Sequence, residues 1–298
     1  MNLDVWVCPV CLSPLIPMGE GLRCSADGRT FPIREGLPVL LQPEEEPLLK
    51  DAEYFAAAWK RTTWAPMPHV LSRLPYIRGG AWKQKARSLD ALLALLGPAS
   101  GRVVVDVGAG SAWLSYRLTR AGFVCYATDI SGDNAVGLGA AKAYDSAPFR
   151  FERAIATLTR WPLQDACVDI AICNATLHYL RDIRPAVAEA ARVLRPGGTF
   201  IVMNEPVHRD EWSATRAASD FRSRMRVLGA SGRLVNAYRH FVVAELEQEL
   251  ERYFDEVVRN DPDYGLSFRL TRAAKGLALG MELASFPVYV ARRDRPNG

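Results

Sequence analysis

Asp106, Gly108, Ala109, Gly110 and Trp113 lie in one short stretch where an apolar run, 103 to 107, empties into a glycine turn. Such a turn lets the backbone approach a nucleotide-type ligand closely. Asp106 puts a carboxylate where the pyrophosphate of a dinucleotide would need positive potential, and Trp113 stands where the dinucleotide fingerprint wants a small residue. Both disfavour NAD and favour a ligand with cationic character. Asp129 closes a second apolar run, 123 to 128, at the spacing where a carboxylate takes the two hydroxyls of a ribose. A separate group is Cys8, Cys11, Cys24 and Asp27, in which Cys8-Pro9-Val10-Cys11 has the spacing of a metal knuckle. Cys125, Cys167 and Cys173 sit in or beside apolar runs, where free cysteine behaves as a small buried hydrophobe.

The ordered series continues through Trp161-Pro162-Leu163-Gln164-Asp165, the run 168 to 180 and the run 190 to 200 with its Arg195-Pro196-Gly197-Gly198 turn. Together these resemble the class I S-adenosylmethionine-dependent methyltransferases, of the ubiquinone/menaquinone-biosynthesis type (methyltransferase type 11). The resemblance spans roughly 101 to 205. It implies a Rossmann-like α/β fold: a doubly wound, mostly parallel, seven-stranded sheet. It also implies that Asp106 and the glycine loop, with Ala109 and Trp113, hold the methionine end of S-adenosylmethionine. Asp129 would hold the ribose, with Ile130 and Asn174 beside the cofactor. Family members commonly place an acid five positions before the proline of the Leu-Pro-Phe-like turn, where it accepts the adenine amino group; here that position is Thr157. A neutral hydroxyl there gives up about 1 kcal/mol of charge-assisted bonding.

Methyl transfer gains much of its acceleration from positioning. An acceptor hydroxyl benefits from a general base, and His178, His208 and Glu205 are the candidates at the carboxyl ends of the fourth and fifth strands. His178 also suits a structural helix cap. The first forty residues resemble a short zinc-ribbon-like family that includes activator subunits of RNA and protein methyltransferases. Two readings of this segment stand: a structural zinc site formed by Cys8, Cys11, Cys24 and Asp27, and a metal-free ribbon with Phe31, Ile33, Val39 and Leu40 as a miniature core. A core so small needs a metal or a docked partner, so the ribbon is expected to pack on the catalytic domain.

These residues need elements to hold them. Strands are expected at 102 to 107, 123 to 129, 149 to 154, 168 to 174, 199 to 204, 254 to 259 and 286 to 292, the last two as a reversed carboxyl-terminal pair. The expected organisation is a ribbon module at 1 to 42, a linker and helical cap at 43 to 100, and a catalytic domain at 101 to 298 with an insertion at 206 to 240. The cap reads as helices at 48 to 59 and 81 to 96, separated by a proline-broken stretch from Trp64 to Gly80. Tyr76, Arg78 and Trp82 are its candidate lid contacts. The insertion carries Arg209, Arg216, Arg222, Arg224, Arg226, Arg233 and Arg239, which suits either an anionic acceptor or a solvated face.

The chain of 298 residues has 49% hydrophobic content and a formal charge of +4. That is enough to bury a sizeable core and too mild a charge to imply nucleic acid. No run is apolar enough to span a membrane, and the amino terminus lacks the organisation of a signal peptide, so a cytoplasmic protein is expected. The expected function is methyl transfer from S-adenosylmethionine to a small or carrier-bound, possibly anionic, acceptor. Two alternatives are an RNA base methyltransferase and a catalytically silent binding or activator protein. The ribbon has few basic residues and no aromatic-basic patch of the kind that binds RNA.

Overall fold

The computed structural model describes residues 3–62, 65–144 and 150–293; Trp64 of the cap and Phe149, the expected start of the third strand, lie outside them. The chain begins with four short antiparallel strands: β1 (Leu15–Met18), β2 (Gly21–Cys24), β3 (Thr30–Arg34) and β4 (Leu37–Pro38). Two helices follow, α1 (Pro47–Trp59) and α2 (Gly80–Leu96), each starting or stopping at proline or glycine as the cap residues demand.

The central unit then alternates as β5 (Val103–Val107), α3 (Trp113–Arg120), β6 (Val124–Asp129), β7 (Glu152–Ile155), β8 (Val168–Asn174), α4 (Arg184–Val193) and β9 (Leu194–Met203). Its β-branched runs, buried on both faces, make the parallel strands β7-β6-β5-β8-β9. Next come β10 (Val207–His208), α5 (Glu211–Val227), α6 (Gly232–Ala237), β11 (Phe241–Val242), α7 (Val243–Glu251), β12 (Glu256–Asn260), α8 (Leu266–Leu279) and β13 (Val288–Arg292).

The seven-stranded order is β12-β13-β9-β8-β5-β6-β7. The expected reversed pair is corrected in one respect: β13 opposes both β9 and β12, so β12 runs with the parallel strands and only the final strand is reversed. Two apolar layers flank the sheet. One contains Val105, Val107, Ala171, Val187, Phe200 and Leu246, and the other Leu89, Leu92, Leu114, Leu118, Ile170 and Ile201.

The ribbon is built onto the open edge of this sheet. Val39 bridges Ile155 of the edge strand β7 in parallel, and the Leu40 N–H donates to the Ile155 carbonyl at 2.9 Å. Trp6 bridges Leu163, with Val7 N–H donating to the Pro162 carbonyl and Gln164 N–H to the Val5 carbonyl, both at 3.0 Å. Trp6 is buried, and its ring meets Tyr126 of β6 edge-on at 5.6 Å. An edge that would otherwise present unpaired N–H and C=O groups is thereby covered from within the same chain.

Candidate active site

The carboxyl ends of β5, β6 and β8 open onto a cavity of about 740 Å³. Its sheet-side wall holds eight of the nine residues expected around a cofactor: Gly108, Ala109, Gly110, Trp113, Asp129, Ile130, Thr157 and Asn174. The glycine turn is tight for a specific reason. Gly108 has φ +71°, and a Cβ there would lie 1.9 Å from Thr176 Oγ1 and 2.7 Å from its Cβ. Asp129 is fixed by its neighbours, accepting the Gly110 N–H at 2.8 Å on Oδ2 and the Ser131 N–H at 2.7 Å on Oδ1. Each oxygen keeps lone-pair capacity towards the cavity. Burial pushes the Asp129 carboxyl above its usual range, and the backbone N–H groups pull it back.

Asp106 is the ninth, and it does not line the cavity. It is buried beneath the glycine turn, where Ser115 Oγ donates to Oδ2 at 2.7 Å and Oδ1 has no partner. Burial pushes it up to about 7, with the Asp129 charge adding slightly and the Ser115 bonds opposing. Thr157 lines the cavity, but its hydroxyl is already committed, donating to Oε1 of Glu45 at 2.5 Å. Glu45 comes from the linker, within the 3-10 turn Pro43–Glu45, and its Oε2 accepts the Gln42 N–H at 2.9 Å. A carboxylate is therefore one bond behind the position where the sequence has only a threonine.

None of the three expected bases reaches the cavity wall. Glu205 is buried and saturated: its carboxylate accepts the N–H groups of Thr176, Leu177 and His178 at 2.7, 2.8 and 3.2 Å and meets the His178 ring at 2.6 Å. The pair thus caps the turn Leu177–Tyr179, the structural role open to His178. His208 is buried against His240, with 2.9 Å between Nε2 and Nδ1, and Tyr238 Oη lies 3.1 Å from the other His240 nitrogen. Burial depresses His208 and takes His240 down to about 3, so both rings are neutral.

The opposite wall comes from the cap and the insertion. Phe55 and Trp59 of α1 stack at 5.9 Å, and Tyr179 meets Phe55 edge-on at 5.2 Å. Burial holds the Tyr179 hydroxyl protonated. Of the expected lid contacts, Trp82 lines the cavity, whereas the Tyr76 hydroxyl donates to Asp90 at 2.7 Å away from it and Arg78 is not on the wall. Of the seven insertion arginines, Arg233 alone is on the wall. Arg222 donates to the Tyr238 carbonyl, Arg226 to Asn236 and Arg239 to Glu245, so these three tie the insertion together.

Sequence reasoning missed Lys85. It projects from α2 into the cavity, 4.6 Å from the Trp82 ring, with no acidic partner among the described residues. Burial lowers it to about 8. A lysine on an amphipathic helix reads as solvent-facing, and only the packing of α2 over the sheet reveals otherwise.

Far from the cavity, the Sγ atoms of Cys8, Cys11 and Cys24 and a carboxylate oxygen of Asp27 all lie within 4.8 Å of one another. Three sulfurs and one oxygen at that spacing suit a closed tetrahedral zinc site. Asp27 is held by the Arg29 N–H at 3.0 Å and its guanidinium at 3.2 Å.

Residues 105–202 match a methyltransferase domain family, and residues 3–36 match the Trm112p-like proteins. A demethylmenaquinone methyltransferase of Mycobacterium tuberculosis is 30% identical over 193 residues, covering 64% of this chain and 71% of the relative. An uncharacterized methyltransferase of the same species is 33% identical over 114 residues; the match covers 38% of this chain and 56% of that relative, so this chain spans just over half its length. A chain of the complex between the Haloferax volcanii Trm112 methyltransferase activator and a methyltransferase superposes with TM-score 0.55 at 17% identity, over 80% of this chain and 98% of that one. Haemonchus contortus phosphoethanolamine N-methyltransferase 2, in complex with S-adenosyl-L-methionine, does so with TM-score 0.55 at 13% identity, over 82% and 57%.

Proposed function

This chain belongs to the S-adenosylmethionine-dependent methyltransferase family, and we propose that it methylates a small, largely apolar, planar acceptor held against Phe55, Trp59 and Tyr179. The observation that carries this reading is the contrast between the two cavity walls, one of glycine backbone and carboxylate, the other aromatic. Aromatic faces at 5–6 Å from each other suit a flat ring better than a phosphate or a charged metabolite. The demethylmenaquinone relative points the same way.

The donor set fits the cofactor. Asp129, anchored by two N–H groups, offers its remaining lone pairs to ribose hydroxyls; Ile130, Thr157 and Leu158 line the side where an adenine would lie. Lys85 offers an unpaired ammonium to the carboxylate of the amino-acid end. When bound, the cofactor supplies an electrophilic methyl group on a sulfonium. The protein's part is to exclude water with the aromatic wall and hold the acceptor in line, which is worth several kcal/mol without a covalent intermediate. With His178, His208 and Glu205 all turned away, the acceptor must lose its proton easily by itself, as a hydroquinone or an acidic phenol does.

The test has two stages. Calorimetric titration should find one S-adenosylhomocysteine per chain; no binding would leave a silent binding protein. A short-chain naphthohydroquinone should then be methylated, with Phe55→Ala and Trp59→Ala raising its KM by about tenfold and moving product affinity by less than about threefold. Turnover with ribosomal or transfer RNA and none with the quinol would replace this acceptor by the RNA reading.

A further inference from the structure

We propose that α8 docks this protein onto the surface of anionic bilayers. The helix is turned the wrong way for a helix of a water-facing surface. Leu266, Leu270 and Leu277 are 69%, 61% and 86% exposed, and Ala273 and Ala274 are exposed with them. At the helical repeat these five share a sector of about 100°. The side facing the protein is aromatic and cationic: Phe268 lies 5.0 Å from Tyr264, and the Arg272 guanidinium stacks over Phe268 and Phe286 at 5.2 and 5.7 Å while donating to the Ala284 carbonyl.

Charge selects the occupant. The segment 266–279 contains Arg269, Arg272 and Lys275 and no acidic residue, and Arg269 and Lys275 are exposed on the flanks of the leucine stripe. An apolar stripe edged by cations is the pattern of a helix lying in the headgroup layer with its leucines in the acyl boundary. An independent feature continues the patch. Trp212 is 55% exposed beside Ser213, whose hydroxyl accepts the Glu282 N–H three residues past the end of α8. Arg209 pairs with the same Glu282, and Arg216 lies 5.2 Å over the Trp212 ring. Exposed tryptophan among arginines is suited to a bilayer interface. Among the described residues no helix is long and apolar enough to cross a membrane, so the association is peripheral.

The helix is also wired to the cavity. Tyr264 Oη, just before α8, lies 3.2 Å from Ser88 Oγ; Ser88 donates to Asn204 at 2.8 Å, and Asn204 donates to Asn174 on the cavity wall at 2.8 Å. Docking through α8 would thus hold the cap helix α2 near the lipid.

Flotation of the full chain with phosphatidylcholine vesicles, and with vesicles carrying about 30% phosphatidylglycerol, tests this without cofactor or acceptor, so its outcome is separate from the reading of the cavity. The chain should float with the anionic vesicles and be released by high salt. Leu266→Ser, Leu270→Ser and Leu277→Ser together should lower the partition coefficient by about tenfold or more at unchanged Tm. Arg269→Gln with Lys275→Gln should erase the preference for anionic lipid. Absence of flotation, or a triple variant that floats like the parent, overturns the proposal. So does a vesicle-free dimer, seen by sedimentation, that the triple variant dissociates, because the stripe would then belong to a second copy.

Discussion

A single unpaired ammonium on the cavity wall makes Lys85 the most informative side chain of the site. If it receives a carboxylate, Lys85→Met should weaken S-adenosylhomocysteine by about tenfold, and the parent's affinity should fall as pH rises through about 8, where the ammonium loses its proton. Titration calorimetry across pH 6.5 to 9.5 reads both effects; a flat profile in the parent would remove Lys85 from the site. Asp129→Ala should cost about 30-fold or more in the same assay, because two charge-assisted bonds go at once. Asp106 acts on stability instead. Its folded pKa of about 7 lies above the unfolded carboxylate value, so the native state holds the proton more tightly and stability declines as pH rises from about 4 to about 7. Buried His240 has the opposite slope: held down to about 3, it stays neutral while the unfolded chain takes a proton, so stability is lost as pH falls below about 6.5. Asp106→Asn and His240→Gln should each remove one slope in chemical denaturation measured from pH 4 to 8. The Asp106 effect is of the order of 4 kcal/mol at most.

Among elements, the contact of α1 with α6 decides whether the aromatic wall stays closed over the sheet. Asp51 of α1 accepts the Arg233 N–H at 2.8 Å at the start of α6, and a Cβ on Gly232 would lie 2.1 Å from the same carboxylate. Asp51→Ala should lower stability by about 1 kcal/mol, the usual worth of a capping carboxylate, which is about 2–4 °C in Tm for a chain of this size. Gly232→Ala should do more harm, pushing the two helices apart and raising the acceptor KM. Elements of this kind were legible where an apolar period meets a breaker: the strands at Val103–Val107 and Val168–Asn174 and the helix stopped at Gly97 follow from their own residues. The helix α8 went unread because its leucines face outward and serve no core. Glu205 looked like a base because a carboxylate at a strand end suits that role; that three N–H groups of the 176–178 turn converge on it is a fact of tertiary packing. Glu45 was invisible for a similar reason, since 112 residues separate it from Thr157.

At the scale of the whole molecule, ribbon and sheet share one buried layer, in which Trp6, Leu22, Phe31 and Leu40 belong with Tyr126, Leu163 and Ala171. Metal analysis should find about one zinc per chain, and Cys11→Ser or prolonged chelation should lower a single calorimetric transition instead of splitting off a ribbon transition. Trp6→Ala, which empties a buried indole site, should cost about 3–5 kcal/mol and leave the β7 edge open to aggregation. The same covered edge imposes an order on synthesis. Val39 and Leu40 leave the ribosome long before their partner Ile155, and Trp6 before Leu163. At roughly 5–20 residues per second the apolar underside of the ribbon waits on the order of ten seconds for the strand it will cover. A metal bound by Cys8, Cys11, Cys24 and Asp27 is available throughout that interval, because all four ligands emerge in the first twenty-seven residues. In a zinc-starved cell the damage should therefore fall on newly made chains during translation, while molecules already folded keep their ribbon clamped by the sheet.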